Sequence, residues 1–214
     1  MRKKIKIDDL YIGDFQYVPI IAEIGVNHLG SLERAKNMSK LAMEGGADFL
    51  KFQTYVADKR YDLINNPKGK EFTKNLKDWQ LTKEEERELW QYSKSLGARI
   101  FTSVYEIESI KFALDLGTSA FKIAAFEMHN KILLNEIVKT RKPLIISCGM
   151  TNLDEIKRLV DFLEKNNSDY MLLHTVSSYP LEKKHSNLKM IHILRDNFKC
   201  PIGHSDHTLG TEIP

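Results

Sequence analysis

The chain has 214 residues, 42% hydrophobic and 29% charged, and its 32 Lys and Arg against 29 Asp and Glu leave a formal charge of +3. Bases and acids interleave along the whole length, which excludes the basic stripe of a nucleic-acid binder, and this apolar content excludes a disordered chain. No run approaches the roughly 20 apolar residues of a membrane span, and the charged DDLYIGD after MRKKIKI replaces the apolar core of a signal peptide, so a cytoplasmic protein with no membrane partner is expected.

Seven apolar runs mark the chain: IIAEIG at 20–25, FLKFQT at 49–54, RIFTSV at 99–104, AFKIAA at 120–125, LIISCG at 144–149, YMLLHTV at 170–176 and CPIGHS at 200–205. Runs of this kind, with little polar alternation, suit strands covered on both faces, as in a parallel sheet. Helical patterns fill the gaps. Ser31 is placed to cap the first, with Leu32, Ala35, Met38 and Leu41 at its period and Gly45-Gly46 at its end. Thr82 and Glu85 have the spacing of a capping box, followed by Leu89, Trp90 and Leu96 facing inward and by Gly97 as the stop. Further helices are expected near 106–116, 130–140, 151–165 and 186–196. The stretch Tyr55 to Leu81 shows no pattern and reads as a polar loop, long enough for a lid. Cys148 and Cys200 lie far apart without CxxC spacing, and read as buried, reduced thiols.

This β/α order fits either a doubly wound sheet or a (β/α)8 barrel. IGVNHLGS lacks a dinucleotide fingerprint, and nearly every strand ends in polar side chains: Glu23, Lys51 and Gln53, Thr102 and Ser103, Lys122 and Glu127, Ser147, Ser177 and Tyr179, then Ser205, Asp206 and His207. Reactive groups at the carboxyl ends of all strands are the pattern of a barrel. The expectation is an α/β fold, a (β/α)8 TIM-type barrel that stops after its seventh strand, with 1–214 as one barrel domain incomplete at its C-terminus.

Lys51 and Lys122 lie inside apolar runs, where an ammonium group needs a partner. With the hydroxyls of Ser103 and Ser147 they could clamp an anion such as phosphate; the plainer alternative is a lysine that merely reaches solvent. Glu23, within IIAEIG, either pairs with a lysine or works as a general acid or base, and Glu127 is a wetter and weaker candidate. GHSDHT offers His207 and His204 around Asp206 as a metal ligand with orienting neighbours, although HxxH alone is weak evidence. His28 and His174 are simplest as satisfied core residues; His129, His185 and His192 read as surface, Trp79 and Trp90 as packing.

Six ordered segments, IAEIGVNHLGS, GADFLKFQTY, FKIAAFE, SCGMTNLDEI, LLHTVSSYP and GHSDHTLG, resemble the sialic acid synthases and their relatives that make pseudaminic, legionaminic and similar nonulosonic acids. The resemblance implies an enzyme that joins phosphoenolpyruvate to an open-chain N-acylated amino sugar (N-acetylmannosamine or a deoxy-diacetamido hexose), releasing phosphate. It also implies a divalent metal, Mn2+ before Mg2+ or Co2+. It assigns Lys51, Gln53, Ser103, Lys122 and Ser147 to phosphoenolpyruvate, Glu23 to handling protons or water, and Glu127 to the acceptor sugar. Tyr179 and Ser177 fall to the sugar and phosphate side, Ser205 and Asp206 to substrate, and His207 to the metal. Ala125 stands where relatives usually carry Ser, TSVYE replaces the usual STPF pattern, and the FE of FKIAAFE is closer to the pseudaminic or spore-coat type. The family's second metal-binding histidine and its C-terminal antifreeze-like domain, which reaches into a partner of a homodimer, would lie past Pro214. The competing expectations are a non-catalytic fragment that binds phosphoenolpyruvate or sugar, and another phosphoenolpyruvate-condensing barrel.

Overall fold

The computed structural model describes residues 3–60 and 69–214. In chain order these form a hairpin of β1 (Ile5–Ile7) and β2 (Leu10–Ile12), then β3 (Ile21–Gly25), α1 (Leu32–Glu44), β4 (Phe49–Gln53), α2 (Gly69–Trp79), α3 (Lys83–Ser95), β5 (Arg99–Ser103), α4 (Ile107–Leu116), β6 (Phe121–Ile123), α5 (Lys131–Ile137), β7 (Leu144–Ser147), α6 (Leu153–Lys165), β8 (Tyr170–His174), α7 (Lys189–Asn197) and β9 (Ile202–His204). All seven apolar runs are strands. Two units divide the chain, Pro19–Ser119 and Met1–Val18 with Ala120–Pro214.

In the unit Pro19–Ser119, β3, β4 and β5 pair in parallel, with Glu23 opposite Lys51, Lys51 opposite Phe101 and Gln53 opposite Ser103. Because side chains alternate along a strand, Leu50, Phe52 and Ile100 turn to one face, where they pack with Ala35 of α1, Leu89 and Trp90 of α3, and Phe112 and Leu116 of α4. Each large apolar side chain buried here contributes roughly 1.5 to 3 kcal/mol. Phe49, Lys51, Gln53, Phe101 and Ser103 take the other face, and the Phe49 and Phe101 rings meet edge-on at 5.7 Å.

The caps follow the sequence. Ser31 accepts the Arg34 N–H, Gly45 closes α1, and both halves of the Thr82–Glu85 capping box form. The inward stripe of α1 is narrower than its leucines suggest: Ala35 and Ser39 are buried while Leu41 is 57% exposed. Small residues bring this helix close to the sheet and leave Leu41 outside. The expected loop over Tyr55 to Leu81 is corrected in its described part, which holds a short 3-10 turn at Ala57–Lys59 and the helix α2. Two of the buried residues of α2, Gly69 and Thr73, are not apolar, so the stripe they share with Leu76 escapes a hydrophobic pattern. Residues 61–68 of that loop, and with them part of the expected lid, lie outside the described residues.

On the helix-facing side Thr54 and Thr102 share a hydrogen bond of 3.0 Å, and Glu86 of α3 bonds Thr54. Burial, with Glu106 adding repulsion, raises the Glu86 carboxyl to about 8 against the pull of Thr54 and Lys83. The folded chain therefore keeps a proton that the unfolded chain loses near its ordinary range, so stability falls as pH rises. The fall amounts to at most roughly 1.4 kcal/mol per pH unit and ends once the folded acid ionises. Glu86→Gln is expected to flatten the stability profile between about pH 5 and 8, as read by urea unfolding at several pH values. An unchanged slope would refute this.

In the other unit β6, β7, β8 and β9 pair in parallel, Lys122 opposite Ile145, Ser147 opposite Leu173 and His174 opposite His204. Alternation puts Lys122, Ile145, Ser147 and Leu173 on one face, and Ile146, Leu172, His174 and His204 on the other. Helix α6 has a capping box of Asn152 and Glu155 and buries Ile156, Leu159, Val160 and Leu163. Asn130 caps α5, which passes into a 3-10 turn at Val138–Thr140, and α7 starts at Lys189, later than its pattern suggests. The hairpin β1–β2 lies outside the seven apolar runs. Its strands have three residues each, too short for a period to show, yet Ile5, Ile7 and Ile12 are buried. Cys148 and Cys200 are buried and free, as expected. No helix of the described residues is long and apolar enough to cross a membrane.

Candidate active site

At the carboxyl ends of β3, β4 and β5 the register brings Glu23, Lys51, Gln53 and Ser103 together. Lys51 is only 8% exposed; its ammonium donates to Ser103 Oγ at 3.0 Å and pairs with the Glu23 carboxylate. The apolar run thus holds its lysine by an acid and a hydroxyl, as burial of an ammonium requires. Glu23 pairs with a lysine, one of its two expected roles, and its side chain is 46% exposed although the run around it is apolar. Where β3 ends, a register shift leaves Gly25 in the left-handed region at φ +53°; a Cβ there would stand 2.6 Å from Glu23 Oε1 and 3.3 Å from Gln53 Nε2. Glycine keeps this acid and amide side by side. Tyr105, just past β5, donates its hydroxyl to Gln53 Oε1 at 3.0 Å, and the Arg60 guanidinium lies 3.3 Å from its ring centre. Neither residue stands out in the sequence; the one available signal is the tyrosine of TSVYE.

The second cluster lies on β6, β7 and the loops of their unit. Lys122, 6% exposed, donates to Ser147 Oγ at 2.6 Å and to the Ile123 carbonyl at 2.9 Å. Cys148 follows Ser147, and burial pushes its thiol up to about 12 despite the nearby Lys122, so it stays a thiol. Gly149 is a close approach: a Cβ would stand 2.5 Å from Ser177 Oγ and 3.3 Å from Ala125 Cβ. Ser177 is thereby held against the end of β7. Glu127, half-buried, accepts from Asn130 at 2.7 Å.

Tyr179 is 77% exposed, and its hydroxyl meets His207 Nε2 at 2.7 Å. His207 Nδ1 donates to the Val176 carbonyl at 2.7 Å. That bond puts a proton on Nδ1 and turns Nε2 toward Tyr179, the orientation in which a metal-binding histidine presents Nε2, with the Tyr179 hydroxyl now at that position. The orienting group is the Val176 backbone, which corrects the expectation that Ser205 or Asp206 holds the ring. Ser205 instead pairs by its backbone with His174 and Thr175, and Asp206 Oδ2 accepts from the Thr208 N–H and hydroxyl. His204 lies on β9 rather than in a loop, stacked on His174 at 5.5 Å, on the face opposite Lys122 and Ser147. His204 thus faces away from Lys122 and Ser147, although its imidazole feels the charge of His207, and burial and the neighbouring His174 lower its pKa. His28 and His174 are buried and bonded, to the Gly30 N–H and the Ser186 carbonyl.

Among the described residues no three His, Cys, Asp or Glu side chains gather as a metal group. His207 fits as one ligand; a complete cation site does not fit the described side chains. A cavity of about 320 Å³ between α5 and α6, lined by Met128, Arg158 and Phe162 among others, includes none of the residues of either cluster.

Comparison with known proteins gives these clusters a context. Residues 38–214 match the NeuB family. The N,N'-diacetyllegionaminic acid synthase of Legionella pneumophila is 37% identical over 209 residues, 91% of this chain and 59% of its own length. The pseudaminic acid synthase of Campylobacter jejuni is 32% identical over 221 residues, 96% of this chain and 64% of its own. A crystal structure of the N-acetylneuraminic acid (sialic acid) synthetase from Leptospira borgpetersenii, in complex with citrate, matches with a TM-score of 0.93 and 32% identity, over 100% of this chain and 73% of that one. The chain spans about three fifths of the length of the curated relatives it matches. The fold class is α/β of the (β/α)8-barrel type, and the chain belongs to the NeuB family.

Proposed function

We propose that the chain carries the phosphoenolpyruvate-handling machinery of a synthase that condenses this substrate with an N-acylated amino sugar, giving a nonulosonic acid and phosphate. The observation that carries the reading is the pairing of each buried lysine with a serine hydroxyl at a strand's carboxyl end, Lys51 with Ser103 and Lys122 with Ser147. Ammonium and hydroxyl donors hold the phosphate and carboxylate oxygens of an anionic substrate and stabilise charge as it develops. The citrate named with the Leptospira synthetase, a polycarboxylate, supports an anion-accepting site. The names of the Legionella and Campylobacter synthases support a diacetamido sugar as acceptor.

In this reading the enol carbon of phosphoenolpyruvate attacks the sugar aldehyde, water adds to the cationic centre that results, and the tetrahedral intermediate expels phosphate. Glu23, half-exposed and beside Lys51, takes the proton of that water, and each buried lysine, with its serine, holds negative charge of the substrate. Gln53 and Ser177 orient substrate, with Tyr179, Ser205, Asp206 and Glu127 on the sugar side. A divalent metal, Mn2+ first, belongs to the proposal with His207 as one ligand; no step is assigned to it. A cytoplasmic location, where phosphoenolpyruvate is available, goes with the reading.

The test is calorimetric titration of the chain with phosphoenolpyruvate, then with Mn2+, followed by an assay of phosphate release with diacetamido hexoses. Binding of phosphoenolpyruvate is expected, with weak Mn2+ binding that His207→Ala removes, since a lone histidine falls short of the several ligands Mn2+ wants. Binding without turnover would favour the non-catalytic fragment. No binding of phosphoenolpyruvate at millimolar concentration would overturn the proposal.

A further inference from the structure

The Gln53 amide has two unlike ends, an acceptor Oε1 and a donor Nε2, and its last torsion has a broad, roughly two-fold preference. Which end faces a bound anion decides whether the residue attracts or repels it. Two neighbours bracket the group. The Tyr105 hydroxyl donates to Oε1 at 3.0 Å, while Nε2 lies beside Gly25, where Glu23 Oε1 also approaches. A turned amide would set Oε1 against the Glu23 carboxylate, acceptor against acceptor. Tyr105 itself is fixed: it is 9% exposed, the Arg60 guanidinium lies over its ring at 3.3 Å in a cation-π contact, and its hydroxyl is also bonded by Arg60 and Ser103. Burial raises this phenol to about 12 even with Arg60 close by, so it remains a donor across the neutral range.

We propose that Tyr105, held under Arg60, sets the orientation of the Gln53 amide and turns its N–H2 end toward the anionic substrate. Tyr105 and Arg60 are positioning residues that act through Gln53. The inference rests on the reading that the Glu23–Lys51–Gln53 face takes phosphoenolpyruvate. It adds two residues, from the segments after β4 and β5, that no strand-end pattern selects.

The experiment is a double-mutant cycle on phosphoenolpyruvate binding, measured by calorimetry with Tyr105→Phe, Gln53→Met and both together. Tyr105→Phe removes the hydroxyl alone and is expected to raise Kd about fivefold, the worth of one hydrogen bond, without lowering the melting temperature by more than about 2 °C. In the Gln53→Met background the same change is expected to have a much smaller effect, because the amide it orients is gone and only the bonds to Arg60 and Ser103 remain to be lost. Arg60→Met is expected to weaken binding in the same direction, and Arg60→Lys, which keeps charge but not the flat face, to recover part of it. Unchanged binding by Tyr105→Phe, or effects that multiply in the double variant, would overturn the positioning role and leave the functional reading standing. If the unaltered chain fails to bind phosphoenolpyruvate, the functional reading falls by itself. The positioning role is then decided by the side-chain amide resonances of Gln53, assigned by their absence in Gln53→Met. A shift in Tyr105→Phe supports it, and unmoved resonances overturn it.

Discussion

Exchanging Lys51 for methionine is expected to weaken phosphoenolpyruvate binding by at least about tenfold, and the same exchange at Lys122 to do likewise. Methionine keeps much of the length and apolar stem and removes the ammonium, so the loss reports charge and hydrogen bonding rather than a hole. A hydrogen bond to a charged group is worth roughly 1.5 to 3 kcal/mol, and 1.4 kcal/mol is a factor of ten. Glu23 loses its partner in Lys51→Met, but its side chain is 46% exposed and can hydrate, so the fold should survive. Calorimetry that finds unchanged affinity in both variants would remove the anion-holding role.

Phe101→Ala is expected to cost about 3 to 5 kcal/mol of stability, in the range of large core truncations. Phe101 is fully buried, pairs in register with Lys51 and meets Phe49 edge-on on the same face. The melting temperature should fall by about 10 °C or more. Urea unfolding with a loss below about 1 kcal/mol would show that the phenylalanine layer under Lys51 is not close-packed.

The strands were legible because parallel strands covered on both faces write themselves as unbroken apolar runs, and the lysines were legible because they interrupt those runs. Lys51 and Lys122 are buried and bonded to the hydroxyls their spacing suggested. The helix caps at Ser31 and Thr82 are local, so a few residues suffice to read them. Other features depend on what folding brings near. The partner of His207 is a backbone carbonyl at Val176, which no residue type announces. The exposure of Glu23 depends on the end of β3 and its register shift, not on the apolar letters around it. His204 has the spacing of a ligand, but its place on β9 turns it to the opposite face from Lys122. Tyr105 and Gln53 are 52 residues apart, beyond any periodicity.

Under the proposed function, an anion that reaches Lys51 meets an ammonium that Glu23 and Ser103 already engage. An ammonium has three N–H donors, so a ligand can take the remaining one while Glu23 stays beside the lysine. Most of the dehydration of Lys51 is completed in folding, since the residue is 8% exposed before any ligand arrives. In that reading the ligand meets a cation that is already stripped of water and held in place, rather than one it must first dehydrate and order.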